Sequence, residues 1–336
     1  MSKLFHVKHL FLLAGLVILG VVALTIDVAE SAVIAQRVGW GFLLILLVYA
    51  IEFIADVASW QLTFRSVPAT PKWFYRLWQI KMVGEALNIS LPAGHFGGEP
   101  VKAILLNRRL GLTFSEAIAS LLLARTVITI ALVAFLSIGF IAALEVPQVT
   151  DAERLAASIG LGAFCVAIVL FFLIQRLRLS SAAARMLIRG KWREKFEKML
   201  AHLHALEDRL VHFYTKRPLR FAASLFLAFA NWAIGAGTIY VTFYYLDHPV
   251  TFQEAWIVEA FAQLVRASTF FVPASLGAQE SAFVLVVTAI TGNPALGLAV
   301  AIVRRGREIV WIAIGLAIGW RLSAFGLKEK LQPDSE

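Results

Sequence analysis

The chain has 336 residues, of which 60% are hydrophobic and 16% charged, and its mean hydropathy is +0.77. A soluble domain runs near half apolar and a quarter charged, and a disordered chain is poorer still in apolar residues, so both classes are excluded. The formal charge of +9 points to a cytoplasmic membrane face rather than to nucleic acid, because basic residues collect on the inner side of membrane proteins.

In chain order, the run 10–26 follows Lys3 and Lys8 and reads as a retained anchor helix, since no small-x-small cleavage site follows it. The runs 40–64, 116–144, 156–174, 219–246 and 295–320 complete six expected spans, each long enough to cross about 30 Å of hydrocarbon as a helix. Two further apolar stretches, 82–106 and 256–290, are broken near their centres. The breaks are Pro92-Ala93-Gly94-His95-Phe96-Gly97-Gly98-Glu99-Pro100 and Pro273-Ala274-Ser275-Leu276-Gly277-Ala278-Gln279-Glu280. Irregular backbone at membrane depth survives only where protein or a water-filled cavity surrounds it, so the breaks mark sites. Each arm has about ten residues, or about 15 Å, which predicts re-entrant hairpins. The fold class is therefore an all-α polytopic membrane protein with about six full spans and two broken hairpins.

The loops set the orientation. Arg65, Lys72, Arg76, Arg108, Arg109, Arg321 and the basic stretch 176–220 share one face, against Asp27, Glu30, Glu145, Asp151, Asp247 and Glu254 on the other. Both termini are expected in the cytoplasm of an inner-membrane protein. At an offset of 181 residues, Ala86, Pro92, Ala93, Glu99 and Gly111 match Ala267, Pro273, Ala274, Glu280 and Gly292. Three spans per half make the second copy upside down, an inverted repeat of the transporter type. The expected organisation is a first repeat at 1–174, a cytoplasmic stretch at 175–218, and 219–336 completing a second repeat begun by span 156–174. Within the middle stretch, Trp192, Phe196, Met199, Leu203, Leu206 and Leu210 recur at helical spacing against Arg193, Lys195, Lys198 and Arg209, giving an amphipathic helix on the anionic inner leaflet.

The single cysteine, Cys165, rules out a disulfide framework. No phosphate-binding glycine loop, nucleophile elbow or HExxH motif is present, and no cofactor is expected. The expected hydrocarbon layer holds the acids Glu52, Asp56, Glu85, Glu99, Glu259, Glu280 and Glu308 and the cations Lys102, Arg125, Arg266, Arg304, Arg305 and Arg307. Charges there are expensive, so they either pair or work. Glu52 and Asp56 share a helix face and either relay protons or meet an arginine. Glu85 and Arg266 occupy equivalent repeat positions, which predicts a salt bridge near a pseudo-twofold axis. Glu99 and Glu280 open the second hairpin arms, where a carboxylate serves either as a cap or in proton exchange. The candidate substrate site comprises His95, Gly97, Gly98 and Glu99, then Gly277 and Glu280, with Arg125, Arg304 and Arg305 as forked phosphate donors. His95 lacks a second histidine to complete a metal shell, so no metal is expected.

The two break motifs in order, with Gly111, Arg125 and Arg304, resemble the flippase-like membrane region of lysylphosphatidylglycerol synthases. That family includes stand-alone members of archaeal glycolipid pathways and bacterial hopanoid gene clusters. The resemblance implies a membrane protein that moves a lipid between leaflets. The partner would be a membrane lipid, an anionic phospholipid or a polyprenyl phosphate. Ending at Glu336, the chain is expected to lack the soluble aminoacyl-transferase domain, so lysine transfer is not carried over. The competing expectations are a membrane enzyme modifying a lipid headgroup through His95, Glu99 or Glu280, and an ion-coupled small-solute transporter.

Overall fold

The computed structural model describes residues 28–64, 66–90, 97–144, 215–269, 272 and 275–330, with isolated positions at 162 and 166. The expected spans 10–26 and 156–174 (those two positions aside), the amphipathic helix of the basic stretch, Cys165 and the break residues 92–96 with His95 lie outside them. The described residues form nine helices and no strand: α1 (Val28–Gln36), α2 (Gly41–Thr63), α3 (Pro71–Ser90), α4 (Glu99–Leu110), α5 (Phe114–Leu144), α6 (Pro218–Tyr245), α7 (Phe252–Ser268), α8 (Ala278–Thr291) and α9 (Pro294–Lys330).

Three of these helices, α2, α5 and α6, are long and apolar enough to cross a membrane, and they coincide with the expected spans 40–64, 116–144 and 219–246. The expected span 295–320 lies inside α9, whose first half carries Arg304, Arg305, Arg307 and Glu308. In the stretch around Glu30, expected to be an outer loop, α1 forms a short helix against α9, with Ile34 and the following Val38 in the core.

The hairpin arms are longer than expected. The first arm of the first hairpin is the 20-residue α3, about 30 Å, rather than about 15 Å. Lys72 and Arg76, expected in a cytoplasmic loop, sit on helical turns that begin at Pro71, a residue preset for a first helical position. The loop before it is tied by Gln61 Nε2 donating to the Pro68 carbonyl at 2.9 Å. In the second hairpin, α7 has 17 residues and α8 has 14, and α7 starts at a capping box in which Thr251 and Glu254 satisfy each other's backbone N–H groups.

The helix bounds can be compared under the same 181-residue shift. It maps α2 onto α6, α3 onto α7, α4 onto α8 and α5 onto α9. Both short arms end on a left-handed glycine, Gly111 at φ 67° and Gly292 at φ 72°, a conformation that costs a side-chain-bearing residue far more. The packing is reciprocal as well: α3 lies on α9, and its counterpart α7 lies on α5, the counterpart of α9. α2 and α6 pack on each other and run antiparallel. Ser59 meets Ser224 near one end, where each hydroxyl donates to the other's carbonyl, at 2.8 and 2.9 Å, and Gly41 meets Tyr245 near the other. Where lipid removes the hydrophobic drive between helices, such small residues let backbones approach and let packing and interhelical hydrogen bonds hold them.

Two of the core clusters among the described residues follow from this arrangement. Phe53, Trp60, Leu77, Ile80, Met82 and Leu106 join α2, α3 and α4, while Phe243, Val258, Phe283, Leu296 and Val300 join α6 to α9. Phe135, against Trp232 and Trp256, ties α5 to α6 and α7. The outward faces stay apolar, as with Leu43, Leu47, Ile51 and Ile54 on α2 and Ile138 and Ile141 on α5.

Candidate functional site

The first hairpin closes where two backbones touch. A Cβ on Gly98 would stand 1.9 Å from the Gly84 carbonyl oxygen, so only glycine fits, and the Gly98 N–H donates to Asn88 Oδ1 at 2.8 Å across the gap. The alkyl chain of Lys102 crosses the face of Gly84, where a Cβ would meet it at 2.4 Å, and its ammonium lands between two acids. Lys102 Nζ is 3.1 Å from Glu85 Oε1 and 2.6 Å from Glu99 Oε1. Asn88 Nδ2 also donates to Glu85 Oε2, at 3.3 Å. The expected Glu85–Arg266 bridge is therefore corrected. Lys102 comes from the arm that packs directly on α3, and it takes the carboxylate.

One turn before Glu85 on the same face of α3, Lys81 binds Asp56 Oδ1 at 2.5 Å and lies 5.7 Å from the centre of the Trp60 ring. Lys81 lies one residue before the expected hairpin 82–106 and is absent from the charges expected in the hydrocarbon layer. Its i, i+4, i+7 spacing with Glu85 and Asn88 was the available signal.

The second hairpin meets α9. Glu280 accepts the Gly277 N–H at 2.8 Å, which is the capping role, and its other oxygen takes Arg305 Nε at 2.6 Å. Arg305 Nη1 bonds Glu308 Oε2 at 2.6 Å. Arg304 Nη1 bonds Glu259 Oε2 at 2.7 Å, with Glu308 Oε1 3.6 Å from its Nε. Glu259 Oε1 accepts Gln263 Nε2 at 2.6 Å, and the Arg304 guanidinium stands 5.3 Å from the centre of the Phe283 ring. The Arg304 and Glu259 side chains are only 5% and 3% exposed, so each needs the other: removing one would leave a buried charge.

Of the expected phosphate donors, Arg304 and Arg305 are brought together but already hold carboxylates. Arg125 is not brought to them: it is exposed on α5, at the position the offset pairs with Gly306 of α9. Gly97 lies in the turn before α4, and Glu99 in its first turn. Glu52 and Asp56 project from α2 between the two groups, with Glu52 in electrostatic range of Arg307, Glu259 and Arg304. Among the described residues no cluster of three or more histidine, cysteine or acidic groups could hold a metal ion. The result is a file of charged groups that starts with Glu99, Lys102 and Glu85, passes through Lys81, Asp56 and Glu52, and ends with Arg304, Glu308, Arg305 and Glu280. It joins one hairpin end to the other through the interior.

Helices long and apolar enough to cross a membrane, packed around charged side chains, define a polytopic helical membrane protein. The chain belongs to the lysylphosphatidylglycerol synthase TM region family, whose model matches residues 11–316. A search of curated proteins and a search of solved structures each gave no match.

Proposed function

We propose that the protein is a lipid translocase that moves a phosphate-bearing lipid between leaflets of the inner membrane. In this reading the halves form an inverted repeat, the broken hairpins enter from opposite faces, and both termini are cytoplasmic. The antiparallel pairing of α2 with its counterpart α6 supports the inversion, because a twofold axis in the membrane plane reverses a spanning helix. The observation that carries the function is the interior file of ion pairs linking the two hairpin ends, inside helices whose outer faces are apolar. A headgroup travels along the file while its acyl chains stay in lipid.

The substrate phosphate binds by exchange rather than by filling an open arginine. Arg305 is the more exposed of the two engaged arginines, its side chain 22% accessible against 5% for Arg304. A phosphate that displaces Glu280 replaces one anion with another, and Glu280 keeps its cap on Gly277. Transport is preferred to headgroup chemistry because two of the three candidate acid and base groups, Glu99 and Glu280, are held by cations, the third, His95, lying outside the described residues. The test is reconstitution in liposomes with fluorescent phosphatidylglycerol and fluorescent polyprenyl phosphate, followed by an impermeant quencher. Protein-dependent exposure of inner-leaflet probe, weakened in Arg305→Lys, is expected. No protein-dependent exposure of either probe would refute the reading.

A further inference from the structure

Among the described residues seven acids stand in the interior, and six are held. Lys102 binds Glu85 and Glu99, Lys81 binds Asp56, and Arg304 and Arg305 bind Glu259, Glu280 and Glu308. Glu52 differs: its Oε2 is buried and makes no hydrogen bond, and no described residue pairs with it. A buried ionised carboxylate with no donor is costly, whereas a protonated one is not.

The surroundings of Glu52 place a second, unusual charge beside it. On α9, Arg307 is 4% exposed, its Nε has no hydrogen-bond partner, and no described acid bonds it. Its guanidinium lies 3.9 Å from the centre of the Tyr49 ring, one turn before Glu52 on α2. From α7, the Glu259 carboxylate faces the same spot. A Cβ on Gly235 of α6 would meet Glu259 Oε1 at 3.6 Å and Glu52 Oε1 at 3.7 Å, so that glycine leaves room for two carboxylates. The remaining charged neighbours are Asp56, bound to Lys81 of α3, then Arg304 and Glu308 of α9, with Arg266 of α7 in electrostatic range of Tyr49. α6 contributes no charge there.

The place matters as much as the partners. Combining the antiparallel register of α2 and α6 with the 181-residue offset puts the crossing of the two copies close to Glu52. The equivalent position on α6 is Ala233, so the acid is single and central rather than duplicated. An ion pair between guanidinium and carboxylate is stronger than a guanidinium over a ring. An ionised Glu52 would therefore draw Arg307 from the Tyr49 ring, where it lies in this structure.

We propose that Glu52 is a proton-exchange site at the crossing of the two halves, with Arg307 as its alternating counter-ion, and that lipid movement is coupled to proton passage through it. A proton from water on one side adds to a Glu52 carboxylate oxygen, and the same proton leaves to water on the other side. The coupling rests on the translocase reading; the proton site does not.

Infrared difference spectra of the protein in phosphatidylcholine/phosphatidylglycerol vesicles, stepped in pH, test the site. The carbonyl stretch of a protonated carboxylic acid should rise and fall with pH in the wild type, vanish in Glu52→Gln, return at a shifted frequency in Glu52→Asp, and persist in Asp56→Asn. The wild-type band persisting in Glu52→Gln would overturn the site. In the same vesicles, an imposed pH gradient should change the rate of fluorescent phosphatidylglycerol movement in the wild type and leave Glu52→Gln indifferent to the gradient. Lipid movement that stays gradient-dependent in Glu52→Gln overturns the coupling and leaves transport standing. A band that behaves as expected, with no lipid movement, upholds the site and overturns transport of that lipid.

Discussion

Replacing Gly98 by alanine tests whether the first hairpin depends on two backbones in contact. The added Cβ would lie 1.9 Å from the Gly84 carbonyl oxygen and 2.6 Å from its carbon. Those atoms belong to the α3 backbone and cannot rotate away as a side-chain tip would. The arms must part by at least about 1 Å before the contact is tolerable. That displacement stretches the 2.8 Å bond from Gly98 N–H to Asn88 Oδ1 beyond hydrogen-bonding range. Overpacking costs about 1–3 kcal/mol, and leaving buried polar groups unsatisfied costs about 1–3 kcal/mol more. The expected loss is therefore about 2–6 kcal/mol. The same substitution at Gly237, inside α6 with nothing within 4 Å of the new carbon, should instead stabilise by up to about 1 kcal/mol. Thermal unfolding in detergent micelles, followed by tryptophan fluorescence, measures both variants. A Gly98→Ala protein that melts at or above the wild-type temperature would refute the close approach.

Three further outcomes are expected. Glu259→Ala and Arg304→Ala should each destabilise by about 3–5 kcal/mol, with the double variant costing less than their sum; additive melting shifts would show that the pair is not coupled. Lys81→Met should strand Asp56 and lower the melting temperature, and adding Asp56→Asn should recover part of the loss; no recovery would remove Lys81 from the interior network. In a Cys165→Ala background, single cysteines at Gln36 and Pro249 should react with an impermeant thiol reagent from one side of the membrane, and those at Ser66 and Lys216 from the other, because α2 and α6 run antiparallel. Labelling of Ser66 and Pro249 from the same side would contradict this.

Some of the protein was legible from local chemistry alone. Runs of apolar residues fix α2, α5 and α6 without reference to any neighbour, because a helix that satisfies its own backbone is the only open-ended structure that lipid tolerates. The recurrence of Gly111 at Gly292 and of Glu99 at Glu280 announced matching arms, since a left-handed glycine and a carboxylate in a first helical turn act within a few residues of chain. The presence of charges in an apolar interior was equally plain, and so was the need for most of them to pair. Which charge meets which was decided in three dimensions. Equivalent repeat positions suggested Glu85 with Arg266, but the touching backbones of Gly84 and Gly98 deliver Lys102 to Glu85 first. A third-span arginine in each half suggested matched donors, yet Arg125 faces outward while Arg304 and Arg305 face the second hairpin. Lys81 looked peripheral until the full length of α3 carried it to Asp56. Hydropathy and caps are properties of a segment and can be read along it. The partner of a charge depends on how helices far apart in the chain are rotated and seated against each other, and only the tertiary packing sets that.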